Sequence, residues 1–194
     1  MDFIPKSNWQ WVFDEQRSLL TLQIGDYIVD IIYKANMLVL PGTMPIPFTV
    51  DDVARYNQLF ESRAFRDYQD EFSCNIILHI LAIELFHKPI MPKSWLFADN
   101  EVQQTASQLL VDKASPRIDP MMHISLIAKD KHESAHYLVI EDEKEFVLCM
   151  LIDQIHQLTK RKSLPQFQII KVTLDKLNLV KITNEDTLIP FQIA

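Results

Sequence analysis

The stretch Trp9-Gln10-Trp11-Val12-Phe13-Asp14-Glu15-Gln16-Arg17-Ser18-Leu19-Leu20-Thr21-Leu22-Gln23-Ile24 sets the architecture. Trp9, Trp11 and Phe13 alternate with Gln10 and Val12, and Leu20, Leu22 and Ile24 alternate with Thr21 and Gln23. A period of two is the mark of a strand with one buried face. The polar residues Asp14 to Arg17 lie between the two runs, so the stretch predicts a hairpin. Gly25-Asp26 is a second turn signal and Tyr27 to Tyr33 a third strand. An antiparallel meander therefore opens the chain.

Beyond it, Pro41 to Pro47 holds three prolines and a glycine and reads as a loop. Thr49, three residues before Asp52, is placed to cap a helix. Val53, Tyr56, Phe60 and Ala64 then recur at helical spacing, with Asp51 and Asp52 in the first turn and Arg63 and Arg66 near the last, as the helix dipole favours. A second helix is expected from about Asp70 to His87. It carries Phe72, Ile76, Ile80 and Ile83 on one side and Cys74, Leu78, Leu81 and Leu85 on the other, so it should be buried on nearly all sides. Lys88-Pro89 ends it, because proline cannot continue the ladder.

After residue 100 the texture changes to short runs: His123 to Ala128, Tyr137 to Glu141, Glu145 to Ile152, Phe167 to Val172, Leu179 to Ile182 and Ile189 to Ile193. Short strands with polar turns, the clearest at Asp142-Glu143-Lys144, point to a small barrel or sandwich. Two units are expected to meet near residues 90 to 120, with Pro89, Pro92 and Trp95 packed at the junction.

Composition narrows the function. The 194 residues are 48% hydrophobic and 23% charged, values that suit a folded protein of one or two domains. Only Gly25 and Gly42 are glycine, where average usage of about 7% would supply around fourteen. Gly-rich phosphate loops need at least two glycines a few residues apart, so the common nucleotide sites are excluded. The formal net charge of −7 opposes a polyphosphate backbone, and nucleic acid is not an expected partner. Cys74 and Cys149 lie among apolar neighbours and read as reduced core thiols of a cytosolic protein. The first residues lack a cationic start followed by an apolar stretch, and the longest apolar run, Phe146 to Ile152, is far too short for a membrane span. A soluble cytoplasmic protein without a membrane partner is expected.

Three constellations could carry chemistry or recognition. His132-Glu133-Ser134-Ala135-His136 matches the zinc-peptidase string, which works when a helix puts both histidines on one face with the glutamate as general base. Here a turn-like Lys129-Asp130-Lys131 precedes it and the strand-like Tyr137 to Ile140 follows, so it reads as a solvated hairpin tip, with a zinc-dependent hydrolase using His132, Glu133 and His136 as the alternative. No serine sits in a nucleophile elbow and neither cysteine has a cationic neighbourhood. Lys160-Arg161-Lys162 is a compact cationic cluster in an acidic chain, either an exposed loop or a docking site for an anionic surface. Trp9 and Trp11 share one strand face, where paired indoles either fill a core or line a groove for an apolar peptide.

Asn8-Trp9-Gln10-Trp11 with Asp14-Glu15, Phe48-Thr49-Val50-Asp51-Asp52, and above all Lys88-Pro89-Ile90-Met91-Pro92-Lys93-Ser94-Trp95 with Phe97 resemble the bacterial cell-division protein ZapC family. Leu148-Cys149-Met150-Leu151 and Lys181-Ile182 with Asn184 are looser matches to its late strands. The resemblance implies an α+β chain, with an N-terminal α/β domain at 1–98 (meander plus two helices) and a small β-barrel-like domain at 99–194. It also implies a non-enzymatic, Z-ring-associated protein that needs no cofactor. Such a protein binds the GTPase FtsZ in the cytoplasm at the midcell division site, bundles its protofilaments and slows its GTP turnover. It is expected to be monomeric on its own. The partner-binding candidates are Trp9, Trp11 and Leu22 with Pro89, Met91, Pro92, Lys93 and Trp95 beside them, and Lys160, Arg161 and Lys162 as a second contact.

Overall fold

The computed structural model describes residues 5, 8–41, 45–62, 64–65, 71–100 and 118–180. The expected strand at Ile189 to Ile193, the cations Arg63 and Arg66, the helix start at Asp70 and the family string at Lys181, Ile182 and Asn184 lie outside the described residues. The chain divides into two compact units, residues 1–91 with 167–169, and residues 92–166 with 170–194. The division precedes the expected 98/99 boundary because Leu96 and Phe97 are buried in the core of the second unit.

In the first unit, β1 (Trp9–Asp14), β2 (Leu19–Ile24) and β3 (Tyr27–Lys34) form the expected meander. The β1–β2 register runs from Trp9 opposite Ile24 to Asp14 opposite Leu19. Asp14 holds the first turn: its Oδ1 accepts the Arg17 N–H at 3.0 Å, and Arg17 also bridges to Asp30 at 2.7 Å. Gly25, at φ +59°, supplies the left-handed residue of the second turn. Alternation places Trp9, Trp11, Leu20, Leu22, Ile31 and Tyr33 inside.

The loop expected at Pro41 to Pro47 ends differently. Ile46–Pro47 is a short strand, β4, paired with β1 to give the antiparallel order β3-β2-β1-β4. Proline is tolerated there because an edge strand needs only one side of its hydrogen-bonding groups. Helix α1 (Val50–Phe60) starts at a reciprocal cap: Thr49 Oγ1 accepts the Asp52 N–H at 3.2 Å, and Asp52 Oδ2 accepts the Thr49 N–H at 2.7 Å. Its inward residues Tyr56 and Leu59 are buried, and Tyr56 meets Trp9 edge-on at 6.1 Å. The helix stops at Phe60, short of Ala64. Helix α2 (Glu71–Phe86) buries Cys74, Ile76, Leu78, Ile80, Leu81 and Ile83, each such aliphatic side chain worth about 1.5–3 kcal/mol. Leu85 departs from the expectation at 44% exposed. Arg55 on α1 grips Glu84 on α2 through two contacts, 2.6 and 3.0 Å.

The second unit holds an antiparallel sheet of β5 (His123–Ile127), β6 (Ser134–Asp142), β7 (Phe146–Leu151), β10 (Ile169–Thr173) and β11 (Asn178–Leu179), ordered β10-β7-β6-β5-β11. β8 (Ile155–Thr159) and β9 (Lys162–Pro165) pair only with each other. The expected barrel-like closure is therefore corrected: among the described residues the sheet stays open. The physical reason lies at its edges. The backbone of β10 bonds outward to the segment at residues 93–94, through Lys93 N–H to Lys171 O and Thr173 N–H to Ser94 Oγ, each 2.8 Å. β11, at the other edge, is only two residues long. One sheet face packs Ile124, Leu126, Tyr137, Val139, Cys149 and Val172 with Leu158 and Leu164 of the hairpin. At the β6–β7 turn Asp142 Oδ1 accepts the Lys144 N–H at 2.8 Å, and Lys144 takes φ +74°.

Candidate functional surface

Three tryptophans share one chemistry and have opposite environments. Trp9 and Trp11 are 1% and 0% exposed, and Leu22 is fully buried beside them. Phe48 stands 5.3 Å from Trp9 and 5.8 Å from Trp11, so these indoles are core and present nothing to a partner. Trp95 is 68% exposed, which corrects the expectation that it packs at a junction. The cause is local. Ser94–Leu96 form one 3-10 turn, and the burial of Leu96 and Phe97 turns the preceding side chain outward.

Lys162, far away in sequence, places its Nζ 5.5 Å from the centroid of the Trp95 ring, within cation–π range. It is carried there by the β8–β9 hairpin, in which Thr159 pairs with Lys162 and Thr159 Oγ1 accepts the Arg161 N–H at 3.2 Å. Gln157 steadies the tip by donating from Nε2 to Thr159 O and, at 3.3 Å, to Lys162 O. Lys160 and Arg161 are exposed at the tip, and Lys93 is exposed two residues before Trp95. Among the described residues none of these four cations has an ion pair, whereas Lys171 is paired with Glu143 and Lys176 with Asp99 and Asp175. Two candidates that the sequence offers separately, the Trp95 loop and the cationic triplet, thus meet on the second unit. Pro92 is half-buried, and Pro89 and Met91, the latter 80% exposed, stand at the end of the first unit.

The zinc-peptidase string lacks its helix. His132, at φ +52°, closes the β5–β6 turn and is exposed, while His136 lies in β6. His136 Nδ1 contacts Asp153 Oδ2 at 3.2 Å, and that hydrogen bond raises the imidazole pKa above its ordinary value. Burial alone would raise the Asp153 carboxyl, but the side-chain and backbone hydrogen bonds from His136 outweigh it and bring the pKa down. His156 is buried, with its Nδ1 at 2.7 Å from Tyr137 Oη and its Nε2 at 3.0 Å from Glu133 O, and burial lowers its pKa. A ring that donates to a carbonyl through Nε2 and accepts the tyrosine proton at Nδ1 is neutral. Among the described residues no group of three or more His, Cys, Asp or Glu side chains is arranged to hold a metal ion. Burial also pushes the Cys149 thiol pKa up, which suppresses thiolate nucleophilicity.

The sequence reading misses β8 and β9, whose inward positions include the polar His156 and so break the apolar alternation.

Comparison with known proteins agrees with both units. The family model for the N-terminal region of cell-division protein ZapC matches residues 2–88, and that for its C-terminal region matches residues 89–183. Cell division protein ZapC of Psychromonas ingrahamii is 43% identical over 181 residues, covering 93% of this chain and 90% of that protein. The Aeromonas hydrophila protein of the same name is 29% identical over 175 residues, covering 90% of each, and the Vibrio cholerae one is 27% identical over 179 residues with the same coverage. Matches along both units, in one order and at near-full length, mean that the chain belongs to the cell-division protein ZapC family.

Proposed function

We propose that the protein is a non-enzymatic adaptor of the Z-ring. It acts in the cytoplasm at midcell, binds FtsZ, favours lateral bundling of FtsZ protofilaments and lowers their GTP turnover, as a monomer and without a cofactor. Family membership supports the process. The observation that carries the binding surface is an indole 68% exposed and overlaid by a lysine, whose own hairpin tip and turn carry three further cations without an ion pair among the described residues, on a chain of net charge −7. An exposed tryptophan with adjacent basic residues has the composition of a binding hot spot. Its cations attract an acidic surface only at close range, within a Debye length of about 8 Å at physiological salt.

Crosslinking filaments requires two attachment points. We assign one to Trp95 with Lys93, Lys160, Arg161 and Lys162, and the other to Met91 and Pro89 on the first unit. Trp9, Trp11 and Leu22 are withdrawn from the contact because they are buried.

Co-sedimentation with FtsZ polymers, with and without GTP, tests the reading. Trp95→Ala should weaken binding about 30-fold, the equivalent of a 2 kcal/mol hot spot. Replacing Lys160, Arg161 and Lys162 with glutamate should reduce bundles collected at low speed more than polymer-bound protein collected at high speed, and added salt should mimic the variant. Normal binding by a folded Trp95→Ala protein would remove this surface, and absence of binding by the wild-type chain would remove the adaptor reading.

A further inference from the structure

The Trp95 turn is clamped to the outermost strand of the second-unit sheet. Lys93 N–H donates to Lys171 O and Thr173 N–H donates to Ser94 Oγ, each at 2.8 Å. Within the turn, Leu96 N–H closes on Lys93 O and Phe97 N–H on Ser94 O, each at 3.0 Å. Beyond it, Lys129 N–H reaches Leu96 O at 2.9 Å and Phe97 pairs with Ala128. All but one of these bonds are backbone to backbone. The Ser94 hydroxyl is the single side-chain bond in the set. It lies immediately before the exposed indole, on a residue that is itself only half-buried.

We propose that Ser94 is a positioning residue for the Trp95 contact. By holding the turn on β10, its hydroxyl keeps the indole standing out of the surface beneath the Lys162 ammonium. A partner then meets a preformed anchor rather than a mobile ring. The inference rests on the reading of Trp95 and Lys162 as the partner-binding surface. Its energetic content is the ordering of one large side chain before binding instead of during it, about a 3- to 10-fold difference in affinity. Loss of the hydroxyl should leave the fold in place, since Thr173 is half-buried and water can take over its N–H.

The chain reports on the clamp without any partner. Trp95 is the exposed one of its three tryptophans, while Trp9 and Trp11 are shielded in the core. Acrylamide quenching and the fast component of the fluorescence anisotropy decay therefore follow Trp95. Ser94→Ala should enlarge the fast component, raise quenching and weaken FtsZ binding 3- to 10-fold, with melting unchanged. Ser94→Thr, which keeps the oxygen, should restore all three. Wild-type anisotropy in Ser94→Ala, or altered anisotropy with unaltered affinity, would overturn the proposal. Should Ser94→Ala melt early, amide exchange in the wild-type protein decides: slow exchange at Thr173 N–H supports the clamp, and the fast exchange of an open edge amide overturns it. If the wild-type chain fails to bind FtsZ, the adaptor reading falls, while anisotropy and exchange still judge whether Ser94 orders the indole.

Discussion

Acidification should destabilise the first unit through His79. The ring is 1% exposed and fully used: its Nε2 accepts the Ile32 N–H at 3.3 Å, and its Nδ1 faces Asn75 O at 2.7 Å, so Nδ1 carries the proton. Phe167 lies against it with ring centroids 4.0 Å apart. A second proton would sit at Nε2, where it would oppose the Ile32 N–H inside an apolar shell. Burial accordingly lowers the pKa to about 4, from 6.5 in the unfolded chain. Because the folded value is depressed, the unfolded state binds protons first. His79's contribution is complete above pH 6.5, shrinks as pH falls, and is lost by about pH 4. The whole window corresponds to about 3 kcal/mol, of which about 2 kcal/mol has gone at pH 5. Urea unfolding in a Trp95→Phe background, where fluorescence comes from Trp9 and Trp11, isolates this unit. With a slope of about 2 kcal/mol per molar, the midpoint should fall by about 1 M between pH 7 and pH 5. His79→Gln keeps an acceptor for Ile32 and cannot titrate in this range, so it should lose most of that pH dependence. Equal acid sensitivity in the two proteins would refute the assignment.

Removing the helix cap with Thr49→Ala should destabilise the first unit by about 1 kcal/mol, read in the same urea assay, because the Asp52 N–H loses the Thr49 Oγ1 that accepts it. Trp11→Ala should cost about 3–5 kcal/mol and appear as a much lower melting temperature, since the indole is fully buried against Phe48 and Phe86. In an NMR titration His136 should titrate above the ordinary histidine value, and Asp153→Asn should bring it down. The raised His136 pKa stabilises the second unit below the unfolded histidine value and its contribution fades as pH rises through the folded value, whereas the lowered Asp153 pKa contributes above the unfolded carboxyl value and is lost as pH falls through the folded one.

Much of the first unit was legible in the chain because its determinants are local. The alternation of Trp9 to Ile24 imposes strands whichever partner they find, Thr49 and Asp52 are three residues apart in every conformation, and the apolar circumference of α2 demands burial from any surroundings. The full-length similarity to ZapC proteins likewise rests on order and spacing, which are properties of sequence. What the chain could not show was which of several similar groups would be inside. Trp9, Trp11 and Trp95 are chemically identical, and only the packing of Phe48 against two of them and of Leu96 and Phe97 behind the third sorts core from surface. Among the described residues the sheet of the second unit stays open, with residues 93–94 occupying the edge of β10, a pairing between segments distant in sequence. Lys162 likewise reaches Trp95 from a segment distant in sequence. Local periodicity specifies which face of an element is apolar, but which elements meet depends on long-range pairing, and that is settled only when the whole chain has paid its conformational entropy and packed.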